Sequence, residues 1–244
     1  MKIAALLTGR GNNTLKDKNV LPVLGLPLCQ YPAMAAKKSS LITDFYVSSD
    51  DEKILTAAEE IGYKRIVRPA ELSLPTSQHI DAIKHALKMM HEDRCEPDIL
   101  VVILANNAIT KTEWIDESIQ NLIDNPELSS SCPVMLEQDH HPFRCKCLRE
   151  DGCLGTWFDF KEQRVSTNRQ DLPMNFVFCH NFWTLNLKNT IYSKSVGQQP
   201  WTFMGNNCKP VIVKESFDVH DEEDIIRTEK WLAKEGIKYD NLLS

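Results

Sequence analysis

The chain has 244 residues, 42% of them hydrophobic and 25% charged, with a formal net charge of −6. That length and balance suit one substantial α/β domain, and the acidic balance argues against a general nucleic-acid binder, which displays a basic surface. No apolar run approaches the roughly 20 residues of a membrane helix, and the N-terminal run lacks a cleavage-like continuation, so a cytoplasmic protein without a signal peptide is expected.

The first element is a short apolar run, Lys2 to Thr8, bounded by Gly9 and read as a buried strand. It opens into a loop, residues 9–19, that holds Gly9, Gly11, Arg10, Lys16, Lys18 and several amides. A glycine-permissive, cationic loop at the carboxyl end of a first strand suits a triphosphate, because backbone N–H groups approach closely and Arg and Lys neutralise charge. An ordinary solvated basic loop is the competing reading.

Apolar character resumes at Val20 and leads into a helix over 27–38, with Pro27 in its first turn. Residues 44–49 read as a strand. Residues 50–62 read as a helix, with acids at its start and Gly62 at its end. A short strand at 64–67 precedes an amphipathic helix over 77–90, with Ile80, Ile83, Leu87 and Met90 on one face. Residues 98–105 are nearly all apolar, as a central strand buried on both faces requires. A helix over 112–123 follows.

This alternation implies a mainly parallel, Rossmann-like sheet with helices on both faces. From about 132 to 186 the pattern changes to alternating segments, turn signals such as Gly152, and the aromatics Trp157, Phe158 and Phe160. This segment reads as a hairpin-rich insertion. A strand over 210–214 and a terminal helix over 221–235 complete one expected domain, 1–244.

Eight cysteines without an export signal are expected as reduced thiols. His140, His141, Cys145, Cys147 and Cys153 crowd one segment, but their spacing is not that of a familiar zinc site. Scattered small hydrophobes are the favoured reading over structural zinc.

The ordered motifs resemble the acylneuraminate cytidylyltransferase family, which makes CMP-activated acidic sugars. Gly9-Arg-Gly-Asn-Asn13 and Lys18-Asn19 stand where the family has Ala-Arg-Gly-Gly-Ser-Lys and Lys-Asn. Val47-Ser-Ser-Asp50 matches Val-Ser-Thr-Asp. Arg68-Pro-Ala-Glu-Leu72, with Asp81 and His85 behind it, matches the Arg-Pro-x-x-Leu block. Arg169-Gln-Asp-Leu-Pro173 matches Arg-Gln-Asp-Leu-Pro, and Phe217-Asp-Val-His-Asp221 resembles Ile-Asp-Ile-Asp-Thr.

Three departures mark a divergent member. Leu104-Ala-Asn-Asn-Ala-Ile109 replaces Leu-Gln-Pro-Thr-Ser-Pro, Cys179-His180 replaces Asn-Gly, and His220 replaces the second aspartate of a metal pair.

The resemblance implies a nucleotidyltransferase fold and transfer of CMP from CTP to an acidic acceptor, with pyrophosphate leaving. The acceptor class stays open among nonulosonic acids, a Kdo-like acid and a small anion such as a phosphonate. Arg10 and Lys18 would carry the catalytic charge, with Gly9, Gly11, Asn12, Asn13, Lys16, Asn19, Arg68 and Ser77 around the nucleotide. Asp218, with His220, would hold Mg²⁺, or Mn²⁺. Histidine suits Mg²⁺ poorly, and Asp221 or Asp224 is a substitute, although acids at a helix start need no metal.

On the acceptor side stand Arg169, Gln170 and His180. Asn106 and Asn107 join them at the carboxyl end of the central strand, where open α/β sheets bind ligands. A homodimer through the insertion is implied. The competing classes are a nucleotidyltransferase using another triphosphate, a nucleotide-binding protein without catalysis, and a zinc-binding interaction protein.

Overall fold

The N-terminal apolar run becomes the strand on which the sheet is built. In the computed structural model, which describes residues 1–11, 14–161 and 163–237, β1 (Ile3–Thr8) is buried along its whole length. A short antiparallel hairpin, β2 (Pro22–Val23) and β3 (Leu26–Pro27), precedes α1 (Gln30–Lys37). The expected helix start at Pro27 is therefore corrected. Leu24 and Gly25 take positive φ angles of 43° and 92°, turning the chain back so that Pro27 closes the hairpin. The proline in the helix's first turn is Pro32, where its missing N–H costs nothing.

Next come β4 (Asp44–Ser49), α2 (Glu52–Glu59) and β5 (Lys64–Val67). They are followed by α3 (His79–Glu92), β6 (Ile99–Leu104) and α4 (Thr112–Asp124). The second half holds β7 (Ser130–Leu136), β8 (Lys146–Leu148), β9 (Leu154–Thr156), β10 (Phe176–Phe178) and β11 (Phe182–Asn186). It closes with β12 (Cys208–Ile212) and α5 (Glu222–Lys234).

Strands β5, β4, β1 and β6 lie side by side and parallel. Beyond β6, β11 enters antiparallel and also pairs with β7, which in turn pairs with β10 and β12.

The period-2 alternation of side chains sorts the core into two layers. Ile3, Ala5 and Leu7 of β1, with Ile99, Val101 and Ile103 of β6, pack against α1, α2 and α4. Ala4, Leu6, Leu100 and Val102 pack on the other face against Ile83, Leu87 and Met90 of α3. A third cluster sets Trp231 and Leu232 of α5 against Val23, Leu28 and Tyr31. Each of those two buried side chains contributes about 2 kcal/mol of transfer free energy, which holds α5 against the β2–β3 hairpin and α1.

Of the expected insertion at 132–186, the two ends belong to the sheet, since β7 and β11 are among its buried strands. What stands off it is residues 137–175, built around the small β8–β9 hairpin.

Candidate active site

The carboxyl ends of β1 and β6 and the start of α3 enclose a cavity of about 290 Å³. Thr8, Gly9, Arg10, Lys18, Asn19, Arg68, Ser77 and Asn106 line it, together with Gln78, His79 and Leu104. Residues widely separated in the chain meet here because parallel strands deliver all their following loops to one edge.

Arg68 is buried and locked. Its Nη2 donates to the Thr8 hydroxyl (2.5 Å) and the Ser48 carbonyl (2.6 Å), and its Nε donates to the Ser48 hydroxyl (3.2 Å). Burial pulls its pKa down to about 10, with Arg10 adding to the fall and Asp50 opposing it. The group stays charged at neutral pH. Arg10 donates through Nη1 to the Leu74 carbonyl (3.0 Å), which ties the loop to the segment before α3.

The loop's shape comes from close packing. A Cβ on Gly9 would lie 2.9 Å from the Ala105 Cβ and 3.2 Å from the Asn19 amide. A Cβ on Gly11 would meet the Asp51 side chain at 2.5 Å. The Gly11 N–H donates to Asp50 Oδ1 at 3.1 Å, and Gly11 does not line the cavity. Its small size therefore serves contact with the start of α2, where Asp51 caps the helix by accepting from Lys53 N. Asp17, at a positive φ of 55°, is tied by a 2.7 Å ion pair to Lys53. Buried Asn19 donates to the Arg10 carbonyl at 3.1 Å, and its own Oδ1 has no partner among the described residues.

The Lys18 side chain makes no hydrogen bond or ion pair among the described residues, while its backbone N–H donates to the Leu15 carbonyl at 3.2 Å. Burial holds its ammonium below the ordinary lysine value, against the pull of Asp218. Asp218 stands beside the cavity. Burial pushes its carboxyl up, while His180, the Asn107 amide, His220 and Lys18 each work the other way.

The Asp218 Oδ1 accepts from Asn107 Nδ2 at 2.8 Å. Asn107 is fully buried, so it holds Asp218 instead of facing an acceptor as expected from sequence. His220 is exposed, with its ring Nδ1 3.2 Å from the Asp218 carbonyl and 3.7 Å from Asp224. Asp221 accepts from Asp224 N, and Asp224 accepts from His220 N, so both acids serve the start of α5.

No three His, Cys, Asp or Glu side chains among the described residues converge as a metal cage. A Mg²⁺ ion is commonly held by one carboxylate with phosphate and water oxygens, and Asp218 fits that mode. The Cys145 thiol meets the His140 carbonyl and the Cys147 thiol meets the Thr156 carbonyl.

The other expected residues divide. Lys16 is exposed and outside the cavity lining. Arg169 and Gln170 are exposed on residues 137–175, and the Arg169 guanidinium pairs with Asp139. His180 sits among aromatic rings, 6.0 Å from Trp183 and 5.3 Å from Trp201. Asn12 and Asn13 lie outside the described residues.

Sequence reasoning missed Thr8, Gln78 and His79. The His79 ring packs edge-on to Trp183 at 5.1 Å, and burial, His180, Arg68 and Arg10 lower its pKa. The position of His79 at the first turn of a helix following the Arg68 block was the available signal.

The chain is similar to known proteins in sequence and in fold. It is 25% identical to the 3-deoxy-manno-octulosonate cytidylyltransferase of Bdellovibrio bacteriovorus over 97% of this chain and 100% of that one. It is 23% identical to the CMP-N,N'-diacetyllegionaminic acid synthase of Legionella pneumophila over 94% and 96%. The solved structure of CMP:2-keto-3-deoxy-manno-octonic acid synthetase complexed with CTP superposes with a TM-score of 0.69 at 16% identity. That match covers 96% of this chain and all of that one. The cytidylyltransferase family model matches residues 8–150, well over half of the sequence and every cavity residue named above. A chain with this sheet, this cationic cavity and this match belongs to the cytidylyltransferase family, the enzymes that transfer a cytidylyl group from CTP.

Proposed function

We propose that this cytidylyltransferase activates a sugar acid, with a Kdo-like or nonulosonic acid as acceptor. The observation that carries the reading is the convergence of Arg10, Lys18 and Arg68 on one cavity at the carboxyl edge of parallel strands. The names of the two full-length relatives support the acceptor class, since one is a 3-deoxy-manno-octulosonate enzyme and the other makes CMP-N,N'-diacetyllegionaminic acid.

The reaction joins an acceptor hydroxyl oxygen to the α-phosphorus of CTP. The bond from that phosphorus to the bridging oxygen breaks, pyrophosphate leaves, and the hydroxyl proton passes to solvent. The chain's part is placement and charge stabilisation. Arg10 takes the outer phosphates, and its tie to Leu74 keeps it facing the cavity. Lys18, whose side chain has no counter-ion in contact among the described residues, meets the charge that grows on the α-phosphate oxygens. Arg68, fixed by Thr8 and Ser48, and Ser77 border the cytidine.

Asp218 would hold Mg²⁺ through the oxygen that Asn107 leaves open. A bound Mg²⁺ supplies charge neutralisation at the phosphates. Arg169, on its exposed segment, is the candidate grip for the acceptor carboxylate, to which a guanidinium binds bidentately.

Self-association is part of this proposal. Leu148, Leu154, Trp157 and Met174 are each at least 65% exposed, which is unusual for large apolar side chains grouped on one segment.

The test is pyrophosphate release with Mg²⁺, each of the four ribonucleoside triphosphates, and a panel of sugar acids beside neutral sugars. CTP with an acidic sugar is expected to give the signal, and CTP is expected to raise the melting temperature more than UTP, ATP or GTP. Equal stabilisation by all four triphosphates overturns the nucleotide assignment. Turnover with neutral sugars alone overturns the acceptor class.

A further inference from the structure

Asn107, itself fully buried, lies at the centre of a hydrogen-bond network that joins three distant parts of the chain. These are the loop after β6, the bend between β10 and β11, and the segment before α5. Asn107 Nδ2 is 2.8 Å from Asp218 Oδ1, 3.2 Å from the His180 carbonyl and 3.3 Å from the Ser216 hydroxyl. Its Oδ1 accepts from the Ile109 N–H at 3.0 Å and from Asn181 Nδ2 at 3.2 Å. The Asn181 amide also donates to the Ile109 carbonyl, and its Oδ1 accepts from the Ser216 hydroxyl at 2.9 Å. The Val219 N–H donates to the Asn106 carbonyl at 3.0 Å, clamping the Asp218 segment to the end of the central strand.

This arrangement fixes the direction of the amide. Two N–H donors face the Asn107 oxygen, so its nitrogen must face Asp218. Turning the amide over would set oxygen against carboxylate and N–H against N–H. A satisfied network in a buried site is rigid, and a carboxylate held through one oxygen presents the other in a single direction.

We infer that Asn107 is a positioning residue for the transfer reaction. Its amide aims the free oxygen of Asp218 at the metal bound with CTP, and Asn181 and Ser216 lock that amide. The inference rests on the proposed role of Asp218. It gives a use to Asn106–Asn107, a stretch where the chain departs from its family resemblance. Outer-shell partners of metal ligands typically govern about 10- to 100-fold in metal affinity.

The experiment measures CTP binding by calorimetry on the full chain, once with EDTA and once with saturating Mn²⁺, for wild type, Asn107→Ser, Ser216→Ala and Asp218→Ala. Melting temperatures are recorded for each. In wild type Mn²⁺ tightens CTP binding, and in Asp218→Ala the tightening is lost.

Asn107→Ser is expected to lose about tenfold of the metal-dependent gain with its EDTA affinity unchanged. Ser216→Ala removes the donor to Asn181 and the longest of the contacts of Asn107 Nδ2, while leaving the bond from Asn107 to Asp218, so it is expected to lose about threefold by the same route. It carries the test if Asn107→Ser does not fold.

Full metal-dependent tightening in every folded variant among these two, with the tightening lost in Asp218→Ala, overturns the inference. An equal loss of affinity with and without metal also overturns it, because that is the mark of a merely structural role. No tightening in wild type, or undiminished tightening in Asp218→Ala, overturns instead the placement of the metal on which the inference rests.

Discussion

The cavity edge and the segment 137–175 are two kinds of structure on one chain. At the cavity edge the guanidiniums are anchored, Arg68 by Thr8 and Ser48 and Arg10 by the Leu74 carbonyl, and the loop that carries Lys18 is tied down by the Asp17–Lys53 pair. Residues 137–175 have only a small core of their own. Phe143 packs against Phe158 and Phe160 at 5.6 and 5.3 Å, while Leu148, Leu154 and Trp157 face outward. One region is finished within a single chain. The other leaves large apolar side chains exposed. Phosphate chemistry needs preorganised charge, which a sheet edge supplies; acceptor recognition is proposed for the other segment.

The largest effect expected from this contrast is at the cations of the cavity. Lys18→Ala and Arg10→Ala should each lower turnover by about two orders of magnitude or more, with the fold intact by circular dichroism. Near-normal turnover in both would show that the sheet edge is not the phosphate cradle. Arg169→Ala sharpens the other side. It should raise the acceptor KM by about tenfold, as loss of a charge-assisted pair does, and leave the CTP KM in place. A change in the CTP KM instead would move Arg169 to the nucleotide.

Leu148→Ser with Leu154→Ser should shift sedimentation toward a smaller species with little change in melting temperature, since both side chains are exposed. An unchanged sedimentation profile would remove this surface from self-association. Asp51→Ala deletes a helix cap and should cost about 1 kcal/mol in chemical denaturation. The smallest effect belongs to Lys16→Ala, exposed and outside the cavity, with turnover expected within about twofold of wild type. A large loss there would extend the phosphate site outward.

The order of strands and helices was legible because its signals are local. Burial of β6 on both faces demands six consecutive apolar residues, and those of Ile99–Leu104 announce it. The amphipathic face of α3 and the acids beginning α2 and α5 are equally local. Pro27 was misplaced because the signal that mattered was a tight turn at Leu24–Gly25, two residues earlier. The boundary of the standing-off segment was misjudged because β7 and β11 are claimed by the sheet through pairing partners distant in sequence.

For the site, the sequence by itself determined which chemistry was present. A loop with Gly9, Arg10 and Lys18 and the Arg68 block are residue types and spacings, and folding brings them around one cavity, with Asp218 near enough to act on the Lys18 charge. Tertiary structure decided what each does. Asn107 and Arg169 are both polar residues expected on the acceptor side, yet one is sealed inside a network and the other stands in solvent beside Asp139. Gly11 is small because Asp51 is close, and His79 borders the cavity because Trp183 turns its ring edge-on. Burial and hydrogen-bond partnership are properties of contacts between residues far apart in the chain, and these contacts exist only after the strands have assembled.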